Sequence, residues 1–381
     1  MIYDQKIGAN VQPVERKSIK MATLNALRGI KDGISFRVAQ DEICIVLKDA
    51  EKAAKVFEDL RSYFANPEIR EQLRFNATGW LFMADLSELE KGEDLQRLIN
   101  YLRNGNRRFD ENSVLRTDGA VVREMYNDRD MENLVEESVE LNRLEVFYQP
   151  IYSNDSHRIH SAEALVRIRR ENGRLVPPGE FIELSEKNGM IVQIGERVFE
   201  EVCKLIHEEK LDKKGIDYIE INLSVVQACR AGLAERFISI MREYEIKPSM
   251  INLEITETAT NDQRAILMNN MELLLDYGVH FSLDDFGTGQ SNLSYIVDMP
   301  VEIIKFDRTL INAYFEGGKA RFVMEAAMQM IKNMDLSIVA EGIETKDQLE
   351  EMQKLGIKFI QGYYFSKPLS RNDFLQYLGT L

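Results

Sequence analysis

The chain has 381 residues, 44% of them hydrophobic and 29% charged, and a formal net charge of −15. That length can hold two domains with full cores, and the acidic balance argues against gripping a nucleic-acid polymer through a basic surface. No apolar run approaches the ~18 residues of a membrane span, and the first residues lack the basic and apolar regions of a signal peptide. In chain order, the stretch Ser35–Val46 (SFRVAQDEICIV) predicts a β-hairpin with Ala39-Gln40-Asp41-Glu42 at its turn. Ala50–Phe64 predicts an amphipathic helix, Phe75–Leu86 a strand carrying the single Trp80, and Leu95–Leu102 a second helix. Tyr126–Glu140 is charged and helix-prone, and is expected to link two domains and pack on the second.

From Glu145 onward short β-rich runs alternate with helical segments. The strand candidates are 145–150, 161–168, 218–223, 251–255, 279–283, 302–305, 336–340 and 358–360. Asn261–Tyr277 carries Ile266, Leu267, Met271, Leu274 and Leu275 and stops at Gly278, which suits a left-handed C-terminal cap. Thr345 with Gln348 reads as a capping box opening a helix that ends at Gly356. The Met-rich segment Met324–Met334 is expected to be core. Eight strands with helices between them predict an α/β chain: a (β/α)8 TIM-like barrel over 126–381, behind a smaller α+β domain over 1–125. A doubly wound sheet would want a Gly-rich turn after its first strand, and none is present.

Polar residues end successive apolar runs: Glu163, Asn222, Glu254, Asp284-Asp285, Lys305, Glu341 and Gln361. A lone carboxylate at a strand end is usually a turn residue or a helix cap. For Glu163, Glu254 and Asp284 that explanation leaves an unpaired charge at the rim of a buried strand. The set is what a metal-dependent barrel site looks like in sequence, and with no His or Cys it favours a hard cation, Mg²⁺ or Mn²⁺, over zinc. The histidines show no ligand spacing, and Cys44, Cys203 and Cys229 lie far apart in apolar segments, as structural thiols do.

Taken together these residues resemble the EAL domain, a family of cyclic di-GMP phosphodiesterases, over essentially all of 130–381. Glu163-Ala164-Leu165-Val166-Arg167 carries the name-giving motif, preceded by Tyr148-Gln149-Pro150. Asn222-Leu223-Ser224, Glu254-Ile255-Thr256-Glu257, Asp284-Asp285-Phe286-Gly287-Thr288-Gly289, Lys305-Phe306-Asp307, Glu341-Gly342-Ile343-Glu344 and Gln361-Gly362-Tyr363-Tyr364-Phe365 follow in family order. The resemblance implies that Glu163, Asn222, Glu254 and Asp284 bind one metal, with Asp284 bridging to a second held also by Asp285. It implies that Lys305 and Glu341 position and deprotonate the attacking water, and that Gln361 holds the hydrated metal site. Arg167 would bind a substrate phosphate and Gln149 its sugar-phosphate, with Leu165 and Asp307 as further substrate contacts. Glu257 would anchor the loop that begins at Asp284. A structural role for Asp307 and Glu344 stands beside the catalytic one.

The chemistry asks for such a set. Phosphodiester hydrolysis needs a hydroxide near neutral pH, and a metal brings the pKa of water from about 15.7 to about 7, while a second metal stabilises the leaving oxygen. A lysine adds a point charge on a flexible stem. Ca²⁺, larger and less polarising, is expected to occupy the same oxygens and inhibit; the resemblance also implies a homodimer through the segment of Leu293, Tyr295, Ile296 and Met299. Departures from the family pattern are Ile168, where Trp is usual, and Gln290 and Asn292.

The N-terminal region resembles a degenerate GGDEF domain, with Ala39-Gln40-Asp41-Glu42-Ile43 in the signature position. Side chains at Ala39 and Gln40 would obstruct the close backbone approach to phosphate that glycine permits. Arg28 and Asp32 have the wrong spacing for the family's inhibitory site. The expected activity is opening of cyclic di-GMP to linear pGpG, with a non-hydrolysing cyclic di-GMP receptor or protein-interaction module as the alternative. No contact with nucleic-acid polymer or membrane is expected. The expected location is cytoplasmic, as a free protein or as the soluble part of a longer membrane-bound one.

Overall fold

The computed structural model describes residues 33–39, 42–65, 81–84, 89–104, 114–117, 120–256, 264–287, 296 and 299–379. It separates into two compact units, Met1–Asp130 and Met131–Leu381. In the first, β1 (Gly33–Ala39) pairs antiparallel with β2 (Glu42–Leu47), as the alternation of Ser35–Val46 predicts. The helix Ala50–Ala65 follows, with Asp49 Oδ1 accepting from the amides of Glu51 and Lys52. β3 (Leu81–Ala84) and β4 (Val114–Thr117) pair in parallel. The helix Asp94–Asn104 contributes Leu98 to a small core with Val121, Val122 and Met125. Trp80, Gln40, Asp41, Arg28 and Asp32 lie outside the described residues.

The second unit is a closed barrel. Its strands are β5 (Leu144–Ser153), β6 (Arg158–Arg169), β8 (Tyr218–Asn222), β9 (Ile251–Ile255), β10 (His280–Phe286), β11 (Ile303–Phe306), β12 (Ser337–Ala340) and β13 (Phe359–Gln361). They hydrogen-bond in that order, and β5 closes the ring against both β6 and β13; β7 (Leu175–Val176) only edges β6. β5 runs antiparallel to both neighbours, whereas the other barrel pairs are parallel. The expected helix between the first two strands is therefore absent. The connection 154–157 is a tight turn with His157 at φ 54°, too short for the crossover of a dozen residues that a parallel pair needs.

Period-two alternation sorts the strand residues into two layers. Outward residues such as Ile219, Leu253, Phe281, Ile304 and Phe306 are fully buried under the helices. Inward, Ile151, Tyr218, Ile303, Val339 and Phe359 form a separate apolar plug in the barrel, so the interior is a packed core rather than a pore. The helix Ile191–Glu209 covers one side, where Phe199 stacks on Phe237 with ring centroids 3.9 Å apart. Cys203, on the same helix, is buried in the core as an unpaired thiol, and burial pushes its pKa up. From Met131 the helix Ala120–Glu140 packs Met131, Leu134, Val135 and Val139 on the barrel.

The predicted helix ends agree with the structure. Arg264–Tyr277 stops at Gly278, at φ 104°. Thr345 accepts from the Gln348 amide, and the Gln348 side chain accepts from the Thr345 amide, at the start of Lys346–Lys354. Met324 and Met328 are buried core residues.

Candidate active site

The polar residues at the strand ends converge on one side chain. Lys305, on β11, is fully buried, a position an ammonium tolerates only when paired. Its Nζ lies 2.6 Å from Glu254 Oε1, 2.8 Å from Glu341 Oε1, 3.5 Å from Glu163 Oε2, 3.6 Å from Glu220 Oε2 and 3.9 Å from Asp284 Oδ1. Burial alone would push the lysine pKa down, but the charges of Glu163, Glu254, Glu341 and Asp284 outweigh it and hold it well above the usual value. The ammonium stays charged.

The carboxylates divide by their neighbours. Burial raises Glu163, but the Lys305 charge and hydrogen bonds from Gln361 and Asn222 more than reverse this. Asn222 Nδ2 donates to Oε1 at 2.8 Å and Gln361 Nε2 to Oε2 at 2.7 Å. Glu254 is fully enclosed, and burial, with Glu163 and Glu220 nearby, drives its pKa well up against the opposing lysine. Burial likewise raises Asp284 and takes Glu341 to about 8. Asp285, although exposed by surface area, is raised to about 6 by partial desolvation and the charges of Asp284 and Asp307.

Both oxygens of Glu254, Asp284 Oδ1 and Gln361 Oε1 are buried and accept no hydrogen bond. With the two amides donating to Glu163, their oxygens are turned elsewhere. Glu254 Oε1 and Asp284 Oδ1 face the Lys305 ammonium, whereas among the described residues Glu254 Oε2 and Gln361 Oε1 face no cation; all four are oxygens, which fits a hard dication. Among the described residues no three acidic, His or Cys side chains stand ready to hold an ion, and the point on which the carboxylates converge is taken by Lys305 Nζ. The chemistry of the set fits such a cation.

Backbone contacts between neighbouring loops hold these side chains. The Glu341 amide donates to Phe306 O at 3.1 Å, and the Ile343 amide to Gln361 O at 3.2 Å. Asp285 takes a left-handed conformation, φ 58°, uncommon for a residue with Cβ and a mark of strain at a functional loop. Gly287 follows at φ 103°, where an added Cβ would meet Leu310 Cβ at 2.9 Å.

Gln149 sits opposite Glu163 in the β5–β6 register, and its Nε2 donates to Ser366 O at 3.3 Å. Leu165 and Arg167 share the Glu163 face of β6 by alternation. Arg167 is half-buried, donates to Val166 O, and has its guanidinium 5.9 Å from the Phe147 ring centre. Ile168 points to the opposite face and is fully buried in the core, so the departure at that position alters packing behind the strand rather than the Arg167 side. Asp307 caps the helix Arg308–Glu316, accepting from the Thr309 amide at 2.7 Å, and Glu344 pairs with Arg308 at 2.9 Å. Glu257, Gln290, Asn292, Leu293 and Tyr295 lie outside the described residues. Ile296 and Met299 are buried against the barrel core, which removes both from any surface offered to a second copy.

Sequence reasoning missed Glu220. It lies inside an apolar run rather than at its end, yet it precedes Asn222 by two residues, and alternation alone places it on the same inward face.

A model of the EAL domain matches residues 132–368. The signaling protein YkoW of Bacillus subtilis (strain 168) is 31% identical over 250 residues, which are 65% of this chain and 31% of that protein. The bifunctional diguanylate cyclase/cyclic di-GMP phosphodiesterase MucR of Pseudomonas aeruginosa is 35% identical over 241 residues, 63% of this chain and 35% of that protein. The chain thus spans about a third of the length of these curated relatives. The solved structure of the PaMucR phosphodiesterase in its c-di-GMP complex superposes with a TM-score of 0.60 at 32% identity, over 64% of this chain and 99% of that one. With the barrel, the closing antiparallel strand and the carboxylate ring all in place, the chain belongs to the EAL domain family.

Proposed function

We propose that this chain is a metal-dependent phosphodiesterase that opens cyclic di-GMP to linear pGpG. The observation that carries the reading is the Lys305 ammonium, fully buried and held 2.8 Å from Glu341 at the open end of the barrel. Support comes from the relatives named for this activity and from the PaMucR structure with its bound cyclic dinucleotide.

Glu163, Asn222, Glu254, Asp284 and Asp285 would hold Mg²⁺ or Mn²⁺, with Gln361 presenting its free oxygen beside them. Such dications supply acidified water and countercharge for the phosphoryl group. The chain's own residues do the rest. Glu341, 2.8 Å from Lys305 Nζ, accepts a proton from the water that attacks phosphorus as the ester P–O bond breaks, and the departing ribose oxygen takes up a proton. Lys305 orients that water and offsets the charge that develops on the phosphoryl oxygens. Arg167 binds a non-reacting phosphate, and Gln149 and Leu165 border the nucleotide. Asp307 reaches substrate only with the oxygen that its helix cap leaves free. Glu257 anchors the loop that begins at Asp284.

The N-terminal unit is a non-cyclising GGDEF-like regulatory domain, a reading that rests on Ala39 and Gln40 in the signature position. The protein acts in the cytoplasm, and the barrel assembles as a homodimer whose contacts exclude Ile296 and Met299; light scattering that returned a monomer would remove the dimer. Among the described residues no helix is long and apolar enough to cross a membrane.

To separate enzyme from receptor, cyclic di-GMP is titrated into the chain in Ca²⁺, and the complex is then exchanged into Mg²⁺ or Mn²⁺. Binding followed by turnover on exchange is expected. Binding with no turnover in any metal would make the protein a receptor.

A further inference from the structure

The Lys305 ammonium has one carboxylate neighbour with no assigned task. We propose that Glu220 is the positioning residue for Lys305, the fixed anion that keeps the ammonium seated in the barrel while the strand-end carboxylates serve metal and water. This deepens the phosphodiesterase reading and rests on it.

Glu220 is fully buried, and neither of its oxygens has a hydrogen-bond partner. Its ionic contact is with Lys305 Nζ, 3.6 Å away. An isolated buried carboxylate is costly, and truncating one member of a buried pair is strongly destabilising. An acid in the barrel interior therefore has to be held by a countercharge. Its surroundings point the same way. Glu220 lies in register between Glu163 on β6 and Asn252 on β9, below the strand ends. The inward residues two positions before the other site residues are Ser161, Asn252, Ser282, Ile303 and Val339, none of them charged. Only on β8, among these strands, is an acid set beneath the polar end.

The arrangement divides the work. Glu163, Glu254 and Asp284 carry charge toward the proposed metals, and Glu341 toward water, so their hold on Lys305 competes with their ligands. Glu220 lies beside Glu163 and Glu254 but on the inward position beneath Asn222, and it is assigned neither metal nor water, so it has no ligand of its own to draw it from the ammonium. Removing its charge would leave Lys305 drawn wholly toward the strand-end carboxylates and out of line with the water beside Glu341.

The test uses the whole chain with Glu220→Gln, Glu220→Asp, Lys305→Met and the double variant Glu220→Gln/Lys305→Met. Glu220→Gln should lower kcat about tenfold with KM within about threefold, and add no further loss in the Lys305→Met background. Glu220→Asp, which keeps the charge, should recover part of the rate. In urea denaturation Lys305→Met should be destabilised, and Glu220→Gln should restore part of that loss, a non-additive cycle that requires no catalysis. Mn²⁺ affinity by calorimetry should move less than about threefold in Glu220→Gln; a drop beyond tenfold would make Glu220 a metal ligand and overturn the proposal. Should Glu220→Gln not fold, Glu220→Ser copies the serine found at the matching inward positions of β6 and β10. An additive stability cycle in a chain that hydrolyses cyclic di-GMP overturns the proposal and leaves the phosphodiesterase reading intact. A non-additive cycle in a chain that does not hydrolyse it supports the hold on Lys305 and removes that reading.

Discussion

Gly362 lies so close to Ile343 that a Cβ added to it would stand 2.1 Å from the Ile343 carbonyl oxygen and 2.4 Å from its nitrogen. Those are backbone atoms, which cannot swing aside as a side chain can. The contact joins two loops that each present a site residue, Glu341 on one and Gln361 on the other. The Ile343 amide donates to Gln361 O, and the Tyr364 amide to Ile343 O at 2.9 Å, so the pair is laced from both sides.

Gly362→Ala must therefore push the two loops apart and shift Gln361 and Glu341 relative to Glu163 and Lys305. A misplacement of this kind near reacting atoms costs on the order of 100-fold in rate. We expect turnover of Gly362→Ala to fall by at least ~10-fold while the far-ultraviolet spectrum of the barrel is retained. Wild-type turnover in this variant would mean the loop contact does not position the site.

Glu163→Ala or Asp284→Ala should lower turnover by at least ~100-fold, because each is proposed to bind metal directly and its loss displaces or loosens the ion. Glu163 also accepts from both Asn222 and Gln361, so its removal frees two further donors at once. Steady-state rates of the purified variants check this, and hydrolysis at the wild-type rate by either would sink the assignment.

Ca²⁺ should compete with Mg²⁺ or Mn²⁺ for the same oxygens and inhibit. It is larger, accepts irregular coordination and polarises water less. A titration of Ca²⁺ into a Mn²⁺-driven reaction should reduce the rate progressively, and full-rate hydrolysis in Ca²⁺ alone would contradict the proposed chemistry.

The N-terminal unit should make no cyclic di-GMP from GTP. The 381-residue Glu163→Ala chain, which should not degrade the product, supplied with GTP and Mg²⁺ is the clean assay. Accumulating cyclic di-GMP would show that Ala39 and Gln40 do not block synthesis.

Much of the barrel was legible because its signals are local. The Gly278 stop, the Thr345–Gln348 capping box and the strand runs each depend on a few neighbouring residues, and each appears within three residues of its predicted place. Strand direction is a different kind of information. Alternation in Glu145–Pro150 is the same whichever way the strand runs, so the antiparallel closure of β5 was readable only from the shortness of the 154–157 turn. The site residues were found as charged ends of apolar runs, a rule that finds Glu163 and Lys305 and passes over Glu220. What no local rule reaches is the convergence itself: residues as distant as Glu163 and Glu341 meet on one ammonium only because the barrel closes.

The most direct test of the account is a time course of cyclic di-GMP with the purified chain, its products resolved by chromatography with Mn²⁺ or Mg²⁺ and again with excess chelator. Linear pGpG accumulating as cyclic di-GMP disappears, and neither change in chelator, is the expected result. Cyclic di-GMP left intact in both metals, or consumed equally fast in chelator, would contradict it.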